Sequence, residues 1–475
     1  MISPLSIGTR RELFIDDTLI EQMTNAELRL SHPERREVVF TGGAPWEDNT
    51  LGAYSLVQTE SAIRIYYRAA IPDLKNEGVC ILAMAESTDG GKSFHRPDLG
   101  LVEFQGSKHN NILWHGADVI IPPAFLDTNP ACAPDARYKG LALLGWEKIC
   151  ASGSGDGLCW RRLGPDELRM EGTFDTVNTA FWDSVAGCYR SYTRMFADPA
   201  TGQPYPKNAI HWGIAVRAIQ TSTSPDFINW SPVQPLQYQD GDLETQMYTN
   251  GVTPCPGAEH IYIGFPNRFV QIRENVQGPS GDGCNDALFM CSRDGVHWTR
   301  YREAWVRPGL DQRNWTHRNN YPSWGLIRNS DTEWSMLISE HYMQKDGPPC
   351  KFRRLSIRPW GFASIRSGYQ GGEVLTKPLI FGGNELRLNY STSVAGCIQV
   401  EIQDLAGKPI EGFAAADMRP LLGDQLDAKI IWKQGSDLSA LMGKPVRFRF
   451  VLKDADIFAL RTLTQKPLMS SGNPV

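Results

Sequence analysis

One signature returns four times along the middle of this chain, and a returning unit restricts a fold more than composition does. Ser87-Thr-Asp89-Gly-Gly-Lys-Ser-Phe94, Ser154-Gly-Asp156-Gly-Leu-Cys-Trp160, Ser224-Pro-Asp226-Phe-Ile-Asn-Trp230 and Ser292-Arg-Asp294-Gly-Val-His-Trp298 are variants of Ser-x-Asp-Gly-x-x-Trp. Their aspartates are 67, 70 and 68 residues apart. Asp-Gly makes a tight turn through Asx hydrogen bonding and a positive φ, and the aromatic that follows packs back on the next strand. Each copy therefore reads as a hairpin.

Two strand-like runs precede each hairpin or its equivalent. Ala53-Tyr-Ser-Leu-Val-Gln and Ile63-Arg-Ile-Tyr-Tyr-Arg68 are one pair, and Thr179-Ala-Phe-Trp-Asp183 and Cys188-Tyr-Arg-Ser-Tyr-Thr-Arg194 are another. Ile261-Tyr-Ile-Gly-Phe265 belongs to a fourth unit, and Ser323 to Ser339 supply a fifth pair without a downstream Asp-Gly turn. Apolar and polar residues alternate with period two, as in half-buried strands. Four strands in about 68 residues make one β-propeller blade with generous loops. Phe352-Arg-Arg-Leu-Ser-Ile357 and Trp360-Gly-Phe-Ala-Ser-Ile365 are expected to complete the fifth blade. The expected fold is all-β: a five-bladed propeller over residues 1–367, then an antiparallel β-sandwich over 368–475. The sandwich strands are read at Glu385–Tyr390, Cys397–Gln403, Ala428–Trp432 and Val446–Leu452, after a run starting at Gly371.

Composition excludes other classes. A net charge of −5 leaves no footprint for nucleic acid or an anionic membrane. No apolar run approaches the ~18 residues of a membrane span. The ten cysteines form no Cys-x-x-Cys pair, so they read as buried thiols rather than a zinc site, and no metal or other cofactor is expected. No charged stretch followed by an apolar run opens the chain, so as written it reads as cytoplasmic; a removed leader would make it periplasmic or secreted. Fourteen Trp, 15 Tyr and 19 Phe suit a sugar-binding partner surface.

The innermost strands of a propeller converge on its axis, so the segments leading into them should meet. These are Pro45-Trp46-Glu47-Asp48-Asn49, Trp114-His115, Phe174-Asp175-Thr-Val-Asn178, Asp242-Leu-Glu244-Thr-Gln-Met-Tyr248-Thr-Asn250 and Trp315-Thr-His317-Arg318-Asn319-Asn320-Tyr321. Every one carries an acid, an amide, a histidine or an aromatic, and buried carboxylates without partners are costly. Three carboxylates fit a general acid, a base or nucleophile, and a third group that tunes them. Trp46, Asp48, His115, Asn178, Tyr248, Asn250, His317, Arg318, Asn319 and Asn320 are candidate sugar contacts. Glu340-His341 ends the fifth blade's second strand and either reaches the pocket or caps the strand. Arg268 and Arg318 either clamp a carboxylate or sulfate on the sugar or pair with the acids.

Five blades, acids on the first, third and fourth, and a C-terminal sandwich resemble the five-bladed-propeller glycosidases, the superfamily of glycoside hydrolase families 32, 43, 68 and 117. More closely, the chain resembles a broad group of uncharacterised bacterial glycosidase-like proteins. The likeness rests on Leu13-Phe-Ile-Asp-Asp-x-Leu-Ile-Glu21, Pro45-Trp-Glu47, Phe174-Asp-x-x-Asn178, Tyr248-Thr-Asn250, Gly264-Phe-Pro-x-Arg268 and Arg318-Asn-Asn-Tyr-Pro322, and spans nearly the whole chain. By blade position it implies Glu47 or Asp48 as base or nucleophile, Asp175 as orienting acid and Glu244 as proton donor. Asp16-Asp17 is a rival source of the first acid. The implied activity is an exo-acting glycoside hydrolase releasing a terminal sugar from a plant or algal oligosaccharide. A polysaccharide lyase using a Tyr/His or Arg set, a phosphorylase with a basic cluster beside one lone acid, and a non-catalytic sugar-binding propeller are the alternatives.

Overall fold

The computed structural model describes residues 3–47, 49–69, 80–116, 123–144, 148–205, 214–271, 273, 283–342 and 347–464. These residues are all-β, with only three-residue 3-10 turns besides strands. The chain divides into two compact units, His32–Ile357 and a second formed by Met1–Ser31 with Arg358–Val475.

In the larger unit, antiparallel sheets follow one another along the chain. The first contains Gly52–Gln58, Ile63–Ala69, Cys80–Ser87 and Ile112–Gly116. The second contains Phe125–Leu126, Tyr138–Leu144, Lys148–Ser154 and Arg161–Leu163. Thr179–Asp183, Cys188–Ala197, Val216–Ser224 and Gln234–Pro235 form the third. The fourth is Thr253–Cys255, Ala258–Gly264, Met290–Ser292 and His297–Arg300, with Gln237–Tyr238 joining its edge in parallel.

The fifth sheet is Ile327–Arg328, Trp334–Glu340, Lys351–Ile357 and, as its outer strand, Glu34–Thr41. The run near Trp360, expected in that outer position, is not there: Ala363–Ser367 pairs with Ala26–Leu30 in the other unit. The first and last strands of the larger unit thus meet, with Phe352 opposite Phe40 and Lys351 opposite Thr41. Pairing across more than 300 residues satisfies two strand edges at once. No local pattern announces it.

The repeated turns form as their residues dictate. In each, the serine hydroxyl donates to the aspartate, and the Oδ1 of that aspartate accepts backbone N–H groups two to four residues on. Where the other copies have glycine at a positive φ, Phe227 takes φ 70° because its ring is wanted in the core, where it is 1% exposed. The indoles of Trp160, Trp230 and Trp298 each donate back to a carbonyl of their own turn.

The leading segments of the five sheets touch. Trp324, before the fifth sheet, bridges to Ser55 of the first, donates its indole N–H to the Val252 carbonyl of the fourth at 2.8 Å, and packs edge-on to Phe125 of the second. Ala124 N–H donates to Ser55 Oγ, and Thr179 Oγ1 of the third donates to Asn250 Oδ1 at 2.7 Å.

In the smaller unit, Glu385–Gln403 runs beside Arg447–Leu463, which also pairs with Gly372–Thr376 and Ala363–Ser367. The two sandwich strands expected at Glu385–Tyr390 and Cys397–Gln403 are therefore one strand. The stretch between them is a bulge, where the register shifts between Thr392 and Cys397. N-terminal residues complete this unit: Ile20–Thr24 pairs with Gly372–Thr376, and Glu12–Leu13 with Arg447–Leu463. The boundary at 367/368 is accordingly replaced by Ile357/Arg358, with the first 31 residues moved across. Phe14, Val400, Trp432, Phe448 and Phe450 form the core.

Candidate active site

The loop carrying Asp175 is held from three sides. Phe174 is anchored in the core, and Asn178 Nδ2 donates to the carbonyls of Phe174 and Thr176, closing a turn around the acid. Asn250 Nδ2 donates to the carbonyls of Val177 at 3.0 Å and Tyr192 at 3.1 Å. Thr176 Oγ1 donates to the Tyr248 carbonyl at 2.9 Å, tying the loop to the neighbouring segment. Asp175 is left with its side chain 29% exposed, in an ion pair with the buried Arg194 of Cys188–Ala197.

Asp175 lines a cavity of about 110 Å³ together with Arg68, Tyr248, Arg318, Tyr321 and Tyr342. Arg68 comes from the second strand of the first sheet, and Arg318 and Tyr321 from the segment leading into the fifth. Arg318 is in the left-handed region at φ 62° and Asn320 at φ 60°, conformations a non-glycine residue adopts only where surroundings enforce them. Here Asn285 does so: its Oδ1 accepts from Arg318 N–H at 2.7 Å, and its carbonyl accepts from Asn320 Nδ2 at 2.9 Å.

Tyr248 is the electrostatic focus. The Arg194 guanidinium carbon is 5.6 Å from its ring centre and that of Arg217 5.2 Å. Burial would raise the phenol, but Arg318, then Arg194, then Arg217 outweigh it and hold it below its ordinary value of 10.0. An acidified phenol and a carboxylate thus share one guanidinium, Arg194. Among the described residues, Asp175 is the only carboxylate lining this cavity.

The other expected acids are elsewhere. Glu47 is fully buried and saturated: Gly43 and Ala44 N–H donate to Oε2, Tyr67 hydroxyl to Oε1, and Arg96 to both oxygens at 2.8 and 2.6 Å. It organises its turn and presents no free lone pair. Glu244 is exposed and lines a different cleft of about 710 Å³ with Asp242, Arg268 and Phe269, sharing no residue with the Asp175 cavity. Arg268 is clamped to Asp286 there. Glu340 is buried among Arg35, Arg353 and Lys351, and His341 Nε2 lies 2.6 Å from Asp311. Neither lines the cavity.

Asn178, Asn250, Asn319 and Asn320 are buried and bonded to loop backbone, so they shape the site without facing it. His317 packs edge-on against Tyr248 and at a tilt against Phe269. Trp46 donates to Asn111, and His115 is an exposed residue against Phe104; neither lines the cavity. Asp48 lies outside the described residues. Asp16 and Asp17 belong to the smaller unit, where Asp16 accepts from Thr18 N–H.

The cations that sequence reasoning missed are Arg68 and Arg194, with Arg217 beside them. Arg68 and Arg194 stand near the ends of the second strands of the first and third sheets. Nothing in the local pattern separates them from other arginines of the same strands, such as Arg64 and Arg190. Among the described residues, no group of three or more His, Cys, Asp or Glu is placed to hold a metal ion.

No protein-family model and no curated protein matches the chain. Among solved structures it is similar to one from the GH130 family of mannoside phosphorylases, which contains glycoside hydrolases that target beta-1,2 mannosidic linkages in Candida mannan. That likeness has 14% identity over 70% of this chain and 94% of that one, at a TM-score of 0.42. A glycosyl hydrolase from Bacteroides ovatus is similar at 15% identity, 70% and 94% coverage and TM-score 0.43. The catalytic domain of the Coprinopsis cinerea GH62 alpha-L-arabinofuranosidase is similar at 11% identity, 69% and 97% coverage and TM-score 0.45. At these values the functional assignment rests on the residues of the site.

Proposed function

We propose that His32–Ile357 is a five-bladed propeller closed by Glu34–Thr41, that the smaller unit is a β-sandwich, and that the protein is an exo-acting glycoside hydrolase. The observation that carries the reading is the pairing of Asp175 with Tyr248 around Arg194 in one cavity. Tyr248 is the proton donor. Its phenol gives its proton to the leaving glycosidic oxygen as the bond to the anomeric carbon breaks, and three guanidiniums stabilise the phenolate that remains. Asp175, opposite Arg194, is the group that meets the anomeric carbon. It either bonds to that carbon, to be displaced by water, or takes the proton of the water that attacks it. The new anomeric hydroxyl keeps one proton of the water, and the other restores Tyr248, directly where Asp175 is displaced and by way of Asp175 and solvent where Asp175 takes it first. At about 110 Å³ and walled by Tyr321 and Tyr342, the cavity has no room for the middle of a chain, which favours attack on a terminal ring. A plant or algal oligosaccharide is the source that the family resemblance suggests.

The test is a product screen over terminal sugars with wild type, Tyr248→Phe and Asp175→Asn. A sugar released in wild type, with turnover down about 100-fold or more in each variant at unchanged fold, supports the reading. Retention by NMR makes Asp175 the nucleophile and inversion makes it the base. An unsaturated product would replace hydrolysis by elimination. Unimpaired variants would remove the site altogether.

A further inference from the structure

Arginines in this protein are, as a rule, matched by carboxylates. Arg96 has Glu47, Arg268 has Asp286, Arg300 has Asp240 and Asp242, and Arg354 has Glu37 and Glu333. Arg318 breaks the rule. It lines the Asp175 cavity, only part of it open to solvent, and its neighbours there are phenols: Tyr342 hydroxyl at 3.5 Å from Nη1, and Tyr248. No carboxylate among the described residues pairs with it. The one acid of the cavity, Asp175, is already opposite Arg194, and Arg68 adds a further cation to the lining.

A guanidinium partly withdrawn from water without a counter-charge is costly, and a loop held at positive φ on both Arg318 and Asn320 maintains it there. The surrounding Tyr248, Tyr342 and Tyr321 favour its charged form, and an anionic ligand would add the oxygen pair that carboxylates give the other arginines. A planar fork of N–H donors matches two oxygens of a carboxylate or sulfate. A neutral sugar hydroxyl would leave most of that capacity unused.

We infer that Arg318, with Arg68, forms an oxyanion subsite in this cavity, and that the sugar it accepts carries a carboxylate or a sulfate ester. The inference rests on the hydrolase reading for what happens to the sugar, but the recognition stands separately. Asp175 and Tyr248 act on the glycosidic bond, and Arg318, besides steadying the Tyr248 phenolate, selects which ring is presented to them.

Titration calorimetry with matched monosaccharides tests it: glucose against glucuronate and glucose 6-sulfate, and galactose against galacturonate, at low and high salt. At least one acidic member should bind about 10- to 100-fold more tightly than its neutral counterpart, the margin shrinking with salt. Arg318→Gln should abolish the margin and Arg318→Lys keep only part of it. Arg68→Gln is the second variant, should Arg318→Gln fail to fold by circular dichroism. Equal binding across all pairs overturns the inference, as does a preference unchanged in both glutamine variants. Inorganic phosphate is added in a separate arm. Competitive inhibition supports the subsite, whereas phosphate-dependent release of a sugar 1-phosphate overturns the assignment of the anion to the sugar. Arg318-dependent binding of acidic sugars without any cleavage would keep the subsite and remove the hydrolase. Cleavage of neutral sugars by the wild type, with no tighter binding of any acidic one, would do the reverse.

Discussion

Asn250 joins the architecture to the chemistry, and Asn250→Ala separates them. Its carboxamide is 2% exposed and makes four hydrogen bonds: Nδ2 to the Val177 and Tyr192 carbonyls, and Oδ1 from Thr179 Oγ1 and Val252 N–H. Truncation orphans all four partners at about 1–3 kcal/mol each. One water entering the vacated space can satisfy two or three of them. The expected loss of stability is therefore about 3–5 kcal/mol, at the upper end for a single substitution. Val177 lies two residues from Asp175, so the loop loses its anchor as well. The assay is urea unfolding followed by tryptophan fluorescence, which reports chiefly on His32–Ile357 because twelve of the fourteen tryptophans lie there. Turnover is measured well below the unfolding midpoint. There it should fall about 10- to 100-fold with little change in tryptophan emission, as misplacement by ~1 Å suffices for such a loss. A midpoint shift equivalent to less than about 1 kcal/mol, with turnover intact, would refute the argument that buried polar bonds hold the acid in place.

Three further outcomes follow from the same structure. Glu47→Gln should cost about 2–4 kcal/mol of stability, because it strands Arg96, yet leave kcat within about twofold where the protein is folded; abolished turnover in a folded variant would return Glu47 to the chemistry. Glu244→Gln should leave kcat unchanged for the same substrate, and its loss would show that the neighbouring cleft takes part. In the turn aspartates, partial burial would raise the carboxyl, but bonds from the serine, from backbone N–H groups and from Ser93, Asn229 or His297 bring Asp89, Asp226 and Asp294 down to about 2 from an ordinary 3.8. Depressed folded values mean that their stabilisation is present above about pH 4 and is lost as pH falls from about 4 to 2. Urea midpoints against pH should show that limb, smaller in Asp226→Asn; a flat profile would contradict it.

How much of this was legible in the chain depends on the range of the interaction. The Ser-x-Asp turns and the alternating strands of Ile63–Ala69 and Cys188–Ala197 are local, set by hydrogen bonds within five residues and by a two-residue period, so they could be read directly. The segments that approach the shared centre could be named for the same reason, since each precedes a readable strand. Asp175, Tyr248 and Arg318 were singled out in this way and do line one cavity.

Tertiary structure alone decided three things. It chose which acid faces the cavity: Glu47 was as good a candidate as Asp175 until Arg96, 49 residues on, claimed both its oxygens. It moved Met1–Ser31 out of the larger unit and put Glu34–Thr41 at the edge of the last sheet, because strand edges take the partner that space offers and not the one next in sequence. It also gathered Arg194, Arg217 and Arg318 around one phenol, since side chains from separate strands sum their charges only once the fold has brought them within a few ångströms of each other.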